Sequence, residues 1–257
     1  MNTRRILIAY LTIIRKEIVR IFRIWSQTLL PSVITISLYY LIFGSFIGSQ
    51  IRGIAGFSYI QFIVPGLVMM AVITNSFSNV ISSFFSAKFQ RNLEELLVSP
   101  TPEWIIIAGY ITGGVIRGLI VGAIVLSISL VFTQITIHST AVVVLFIILT
   151  AILFSLAGLL NAIFAKSFDG ISIIPTFVLT PLTYLGGVFY SIKVLPAFWQ
   201  SISQANPILY MVNGFRYGFL GISDVGVFSS LSIILIFIVI LLGINLYLFK
   251  RGYGLRN

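Results

Sequence analysis

Six long apolar stretches, separated by short polar breaks, dominate the chain. They run at about 28–48, 59–86, 104–132, 140–165, 171–191 and 227–249. About 20 apolar residues make a helix long enough to cross a hydrocarbon core of about 30 Å, so each stretch predicts a membrane span. Residues 4–25 have a different rhythm. Leu7, Tyr10, Leu11, Ile14, Ile18, Ile21, Phe22 and Trp25 recur at three- and four-residue spacing, with Arg5, Thr12, Arg15, Lys16, Arg20 and Arg23 between them. The stripe persists over several turns. It predicts an amphipathic helix in the headgroup plane, with cations at lipid phosphates; the plainer alternative is a basic flank of the first span.

Two of the breaks carry their own pattern. Between the second and third spans, Phe89, Leu93, Leu96 and Leu97 share one face of a short helix over 88–98. Arg91, Asn92, Glu94 and Glu95 take the other positions, and Pro100 and Pro102 end it. Such a helix offers a rigid knob to a soluble partner, or simply caps the bundle. Before the last span, residues 170–221 are punctuated by Pro175, Pro181, Gly186, Gly187, Pro196 and Pro207. The segments Leu195 to Ser203 and Ile208 to Leu220 are too short to span, so 192–222 predicts a re-entrant pair of half-helices, tolerated at membrane depth only inside protein or beside a wet cavity. Trp199, Tyr190, Tyr210 and Tyr217 suit an interface position. The expected architecture is an all-α polytopic membrane protein forming one domain over 1–257.

Composition agrees. Of 257 residues, 58% are hydrophobic and 9% charged, against about 25% charged in soluble domains; lipid must cover much of the surface. The net charge of +10 then reports topology and anionic headgroups rather than nucleic acid. With the N-terminus inside, twelve basic residues fall on the cytoplasmic side and three, Arg52, Lys193 and Arg216, outside. The positive-inside rule therefore places both termini in the cytoplasm. There are no cysteines and one histidine, His138, so thiolate chemistry is excluded and a metal site or an enzyme is not expected.

The order Pro181-Leu182-Thr183-Tyr184-Leu185-Gly186-Gly187-Val188-Phe189, Leu195-Pro196, Asn206-Pro207-Ile208-Leu209-Tyr210 and Arg216 resembles the signature of type-2 ABC exporter permeases, notably small bacterial stand-alone subunits of multidrug or lipo-oligosaccharide exporters. The resemblance extends over nearly the whole chain. It implies a bacterial inner-membrane homodimer served by two cytoplasmic ATPase subunits. It also implies that the 88–98 segment is the coupling helix, with Phe89, Arg91, Leu93, Glu94, Glu95 and Leu97 facing the ATPase, and that the re-entrant segment gates the outer end. A phosphate-binding loop needs Gly-x-x-x-x-Gly-Lys-Ser/Thr, and no Gly-Lys pair occurs. ATP and Mg accordingly belong to the partner, and this chain holds no cofactor.

Residues expected on the path or gate are Arg117, Asn75, Asn79, Tyr184, Phe189, Asn206, Tyr210 and Arg216. Arg117 lies deep in the third span and either ties helices together or lines the path. Asn75 and Asn79, with nearby serines, make one side of the second span polar, for interhelix bonds or for the path. Arg216 either pairs with Asp224 or meets an anionic substrate. The alternative to an ABC permease is an ion-coupled secondary transporter, which needs acids within the membrane; none of the six is expected near a span centre.

Overall fold

The computed structural model describes residues 3–48, 50, 51 and 53–255; Arg52 and Arg256, two cations of the charge count, lie outside them. Among the described residues the chain is helical, with a single bridge between Ile54 and Phe57. The helices are α1 (Thr3–Arg23), α2 (Trp25–Thr28), α3 (Leu30–Tyr39), α4 (Tyr59–Phe89), α5 (Asn92–Val98), α6 (Glu103–Phe132), α7 (Thr140–Phe164), α8 (Phe168–Ile174), α9 (Thr180–Leu185), α10 (Ala197–Gln204), α11 (Pro207–Leu220) and α12 (Val227–Arg251). Six stretches are long and apolar enough to cross a membrane: Trp25–Gly44, Tyr59–Phe89, Glu103–Phe132, Thr140–Phe164, Phe168–Leu185 and Val227–Arg251.

α4 is the axis of the bundle. Its N-terminus is fixed by a capping box, in which Ser58 and Gln61 satisfy each other's backbone N–H. Its apolar window is 78% buried, against 17% for the first span and 11% for the fifth and sixth. α6 and α7 pack along both its sides, and α11 enters beside α4, α7 and α12. Lipid tails are as apolar as leucine, so helices in a membrane associate through close packing and polar bonds rather than through hydrophobic exclusion. Small residues supply the closeness. On α6, Gly109 and Gly113 sit against Ile13 and Glu17 of α1, whereas Gly114 and Gly118 face Ser76 of α4. On α7, Gly158 lies on the α4 backbone at Phe77.

The structure corrects four expectations. Phe89 ends α4 rather than belonging to the short helix; the chain turns at Arg91, whose φ is +61°. The fifth span stops at Leu185 and an irregular stretch follows, because Gly187 takes φ +73°. Arg216, counted with the outside charges, is no surface cation: it sits within α11 and is 1% exposed. The fourth concerns α1. Leu7, Leu11, Phe22 and Trp25 of its stripe are exposed on the protein surface, as a lipid-facing stripe requires, but Ile21 of the same stripe is buried with Ile13 and Glu17 against the bundle. Two spans also contain π-helical turns, Tyr40–Ile47 in the first and Pro175–Leu179 in the fifth. In the fifth, carbonyls near Pro175 and Pro181 are taken up by threonine hydroxyls: Thr180 donates to Pro175 O (2.9 Å) and Thr183 to Leu179 O (2.7 Å).

Close approach at Gly158 makes a direct test. A Cβ there would lie 2.6 Å from the Phe77 carbonyl oxygen, whereas one on Gly243 of α12 would meet nothing within 4 Å. Gly158→Ala should cost about 1–3 kcal/mol by overpacking and lower the thermal midpoint in detergent by several degrees. Gly243→Ala should leave that midpoint unchanged or slightly raised.

Candidate functional site

Three clusters contain the residues singled out from the sequence. The first is at the end where α4 gives way to α5. Lys88, 5% exposed, donates to Ile163 O (2.8 Å) and Ala165 O (3.0 Å), two carbonyls left open where α7 ends. Phe89 meets Phe85 at a tilt and Phe168 edge-on, with ring centroids 6.2 and 5.0 Å away. On this base α5 is held by Leu93, which is 1% exposed, and by partly buried Leu96 and Leu97. Arg91, Glu94 and Glu95 are exposed, and among the described residues none of them forms an ion pair. Both acids lie in the first turn, where they also suit the helix dipole. The result is a short helix on a rigid mount with a charged outer face.

The second cluster is polar and internal. Arg117 donates through Nε and Nη2 to Asn75 Oδ1 (3.2 and 3.0 Å) and through Nη2 to Thr28 O (3.0 Å). Asn75 in turn donates to Ser32 Oγ (2.9 Å). One arginine thus joins α6, α4 and the break between α2 and α3. Next to it, Glu17 of α1 is fully buried. Its carboxylate accepts from Ser83 Oγ, Asn79 Nδ2 (3.4 Å) and Arg20 Nη2 (3.3 Å). Arg20 also donates to Asn79 O (2.9 Å), Asn79 Oδ1 (2.8 Å) and Ser82 Oγ (3.2 Å). Arg117 and Asn79 therefore face other helices. Asn75 alone of the three borders a cleft, of about 180 Å³, shared with Pro31, Thr35 and Thr74. Sequence reasoning passed over Glu17. The available signal was its place as the only acid in the first 93 residues, one turn from both Ile13 and Ile21.

The third cluster closes the opposite end. Tyr39 of the first span and Tyr184 of the fifth share a hydroxyl hydrogen bond (3.0 Å). Phe189 lies against Tyr184, Phe43 and Tyr39 at 5.7, 4.9 and 5.8 Å. Asn206 caps α11 by accepting from Ile208 N (3.0 Å), and its Nδ2 donates to Leu182 O (2.6 Å). Tyr210 donates to Gln204 O (2.7 Å). Arg216 donates through Nη2 to Gly187 O (2.6 Å) and Val188 O (3.4 Å), and its guanidinium lies 4.0 Å from the Phe62 ring centroid. It does not pair with Asp224. That carboxylate accepts from Ser191 Oγ (2.7 Å) and Ile192 N (3.0 Å) and lies 3.9 Å from Lys193 Nζ. As arginine does throughout proteins, the Arg216 side chain stays cationic at neutral pH.

Comparison with known proteins fits this arrangement. The family described as ABC-2 type transporter matches residues 8–220. The chain is 60% identical over 250 residues to the inner membrane transport permease YadH of Escherichia coli strain K12, covering 97% of this chain and 98% of that protein. It is 26% identical over 211 residues to nodulation protein J of Rhizobium leguminosarum bv. trifolii (81% and 80% covered). It is 22% identical over 239 residues to nodulation protein J of Sinorhizobium fredii (90% of each).

The Glu17 cluster predicts a stability contrast. Glu17→Ala removes the acceptor around which Arg20, Asn79 and Ser83 converge, and should cost about 3 kcal/mol or more. Glu94→Ala, on an exposed face, should stay within about 0.5 kcal/mol. Equal thermal midpoints for the two variants would show that the buried pair carries no such weight.

Proposed function

From the premise that the chain belongs to the ABC-2 type transporter family, and is the membrane-spanning transport subunit of an ABC transporter, we propose that it is an exporter permease for an amphiphilic, lipid-linked or drug-like substrate. It is a multi-pass inner-membrane protein whose transporter includes an ATPase. In the proposed assembly two copies pair in the membrane, two ATPase subunits dock from the cytoplasm, and both termini face the cytoplasm. Outward direction and class of cargo follow the exporters whose 181–216 signature the sequence resembles. Family membership sets the ion-coupled alternative aside.

The observation that carries the coupling role is α5 itself. It is seven residues long, mounted through Leu93, and leaves Glu94 and Glu95 exposed without ion-pair partners among the described residues. A push on such a helix is passed to α4, because α4 leads into it through a single turn and Lys88 fixes that end to α7. At the far end, the first and fifth spans are the natural moving pair. Both are poorly buried, both contain π-helical turns, and Tyr39 and Tyr184 join them. Their exposed residues, including Ile34 and Leu38 on one and Phe177 and Val178 on the other, support a face for a second copy.

Vesicles containing this chain and its ATPase should show ATP-dependent efflux, and a dead ATPase should abolish it; efflux that persists on a proton gradient would reject the reading. The double variant Glu94→Lys, Glu95→Lys should lower ATPase co-purification by about tenfold or more, as expected when rim charges are inverted, with membrane insertion unchanged. Because the chain has no cysteine, single cysteines at Leu38 or Phe177 should crosslink pairs of this chain. A monomer under all crosslinking conditions would reject the homodimer.

A further inference from the structure

At the end of the bundle away from both termini is a cavity of about 430 Å³, walled by Ile54, Phe62, Ser191, Lys193, Arg216 and Asp224, among others. Its charges do not balance. Asp224 is already supplied with donors by Ser191 and Ile192 N and has Lys193 as its counterion. The wall thus carries two cations against one acid, and Arg216 has no acid within ion-pair distance among the described residues. It is 1% exposed, and only Nη2 is used, on Gly187 O and Val188 O. Nε and Nη1 are buried without a partner among the described residues, which leaves three of the five guanidinium N–H groups without an acceptor.

That arrangement is costly. A buried cation loses several kcal/mol of hydration, and carbonyls and an aromatic face return only part of it. An apolar side chain of similar length would fill the same place against Phe62 at no such cost. A neutral polar group would suffice to hold the two carbonyls of the Gly187 turn. What needs a full positive charge with spare donors, in the wall of a cavity, is an anion.

We propose that this cavity is an oxyanion site, in which a phosphate-class group accepts hydrogen bonds from Arg216 and is attracted by Lys193. The Phe62 ring and Ile54 give the wall an apolar part, so the anion can be the head of an amphiphile as well as a free ion. Guanidinium matches phosphate better than an ammonium does, because its donors are planar and fixed. The site is a binding property of this chain alone, separate from coupling to ATP.

The test is a binding measurement on the purified permease–ATPase complex without nucleotide. In nanodiscs of neutral lipid, inorganic phosphate titrated at constant ionic strength should raise the thermal midpoint saturably, and chloride should not. In a second arm, nanodiscs containing phosphatidylglycerol and no free phosphate should show the same stabilisation if the headgroup is the source. Arg216→Gln should abolish the effect in either arm. Asp224→Asn, which removes the like charge, should tighten binding several-fold, and Lys193→Gln should weaken it by a similar factor. These two opposite shifts keep the test alive if Arg216→Gln does not fold. Absence of saturable stabilisation in both arms, or indifference to both the Asp224 and Lys193 variants, overturns the proposal. Since neither ATP nor transport enters the assay, its failure leaves the exporter reading standing.

Discussion

A carboxylate taken into an apolar helix bundle must find its donors inside the protein, and Glu17 finds them on α4. Asn79 and Ser83 donate to it, and Arg20 from the same helix completes the shell while reaching three more acceptors on α4. The carboxylate is fully buried, so parting the helices takes away its Asn79 and Ser83 donors and leaves it held by Arg20 alone. This makes the contact between α1 and the bundle stiff in a way that packing alone would not. Gly113 permits it by leaving room: a Cβ there would lie 2.7 Å from the Glu17 side chain.

That stiffness joins parts that are far apart in sequence. α1 leads through Ile24 into α2 and the first span, and there Arg117 holds Thr28 O while Asn75 holds Ser32. α4 runs from these contacts to Lys88 and on into α5. α1 and the first span are therefore both pinned to one polar side of α4, and α5 continues from its end. Among the described residues the fifth span has no such bond to the polar side of α4; it is held by Asn161 at Ile171 O and by Asn206 at Leu182 O. It meets the first through Tyr39, Phe43, Tyr184 and Phe189 at the opposite end, by contacts that slide more easily than buried ion pairs.

What could be read from the sequence follows from length scales. The spans were legible because a bilayer imposes about 20 apolar residues on each, and all six recur in the structure with ends shifted by a few residues. The short helix before α6 was legible because Pro100 and Pro102 bound it; its true start was not, because only the left-handed turn at Arg91 separates Phe89 from Leu93. The two faces of α1 were missed for a related reason. Ile21 belongs to the apolar stripe and Ile13 and Glu17 lie beside it on the helix surface, so one broad apolar face and two narrower ones give nearly the same spacing. The π-helical turns left no trace in hydrophobic periodicity. Arg216 was counted with the outer charges because α11, at 14 residues, is too short to register as a span.

Two buried arginines show how a structural charge and a site charge differ. Both lie among apolar helices, and neither has an acid within ion-pair distance among the described residues. Arg117 places Nε and Nη2 on a side-chain amide and a carbonyl from two other helices. The amide Asn75 is itself held by Ser32, so each partner is positioned before the arginine arrives. Arg216 instead keeps Nε and Nη1 free and borders about 430 Å³ of empty space. Both are arginines and both are buried, at 8% and 1% exposure; what separates them is that Arg117 spends Nε as well as Nη2 on neighbouring helices, whereas Arg216 spends Nη2 alone. A cation that is needed only for packing is expected to saturate its neighbours, because every idle N–H in a low-dielectric interior is destabilising. One that does not is kept for something the cavity has yet to receive.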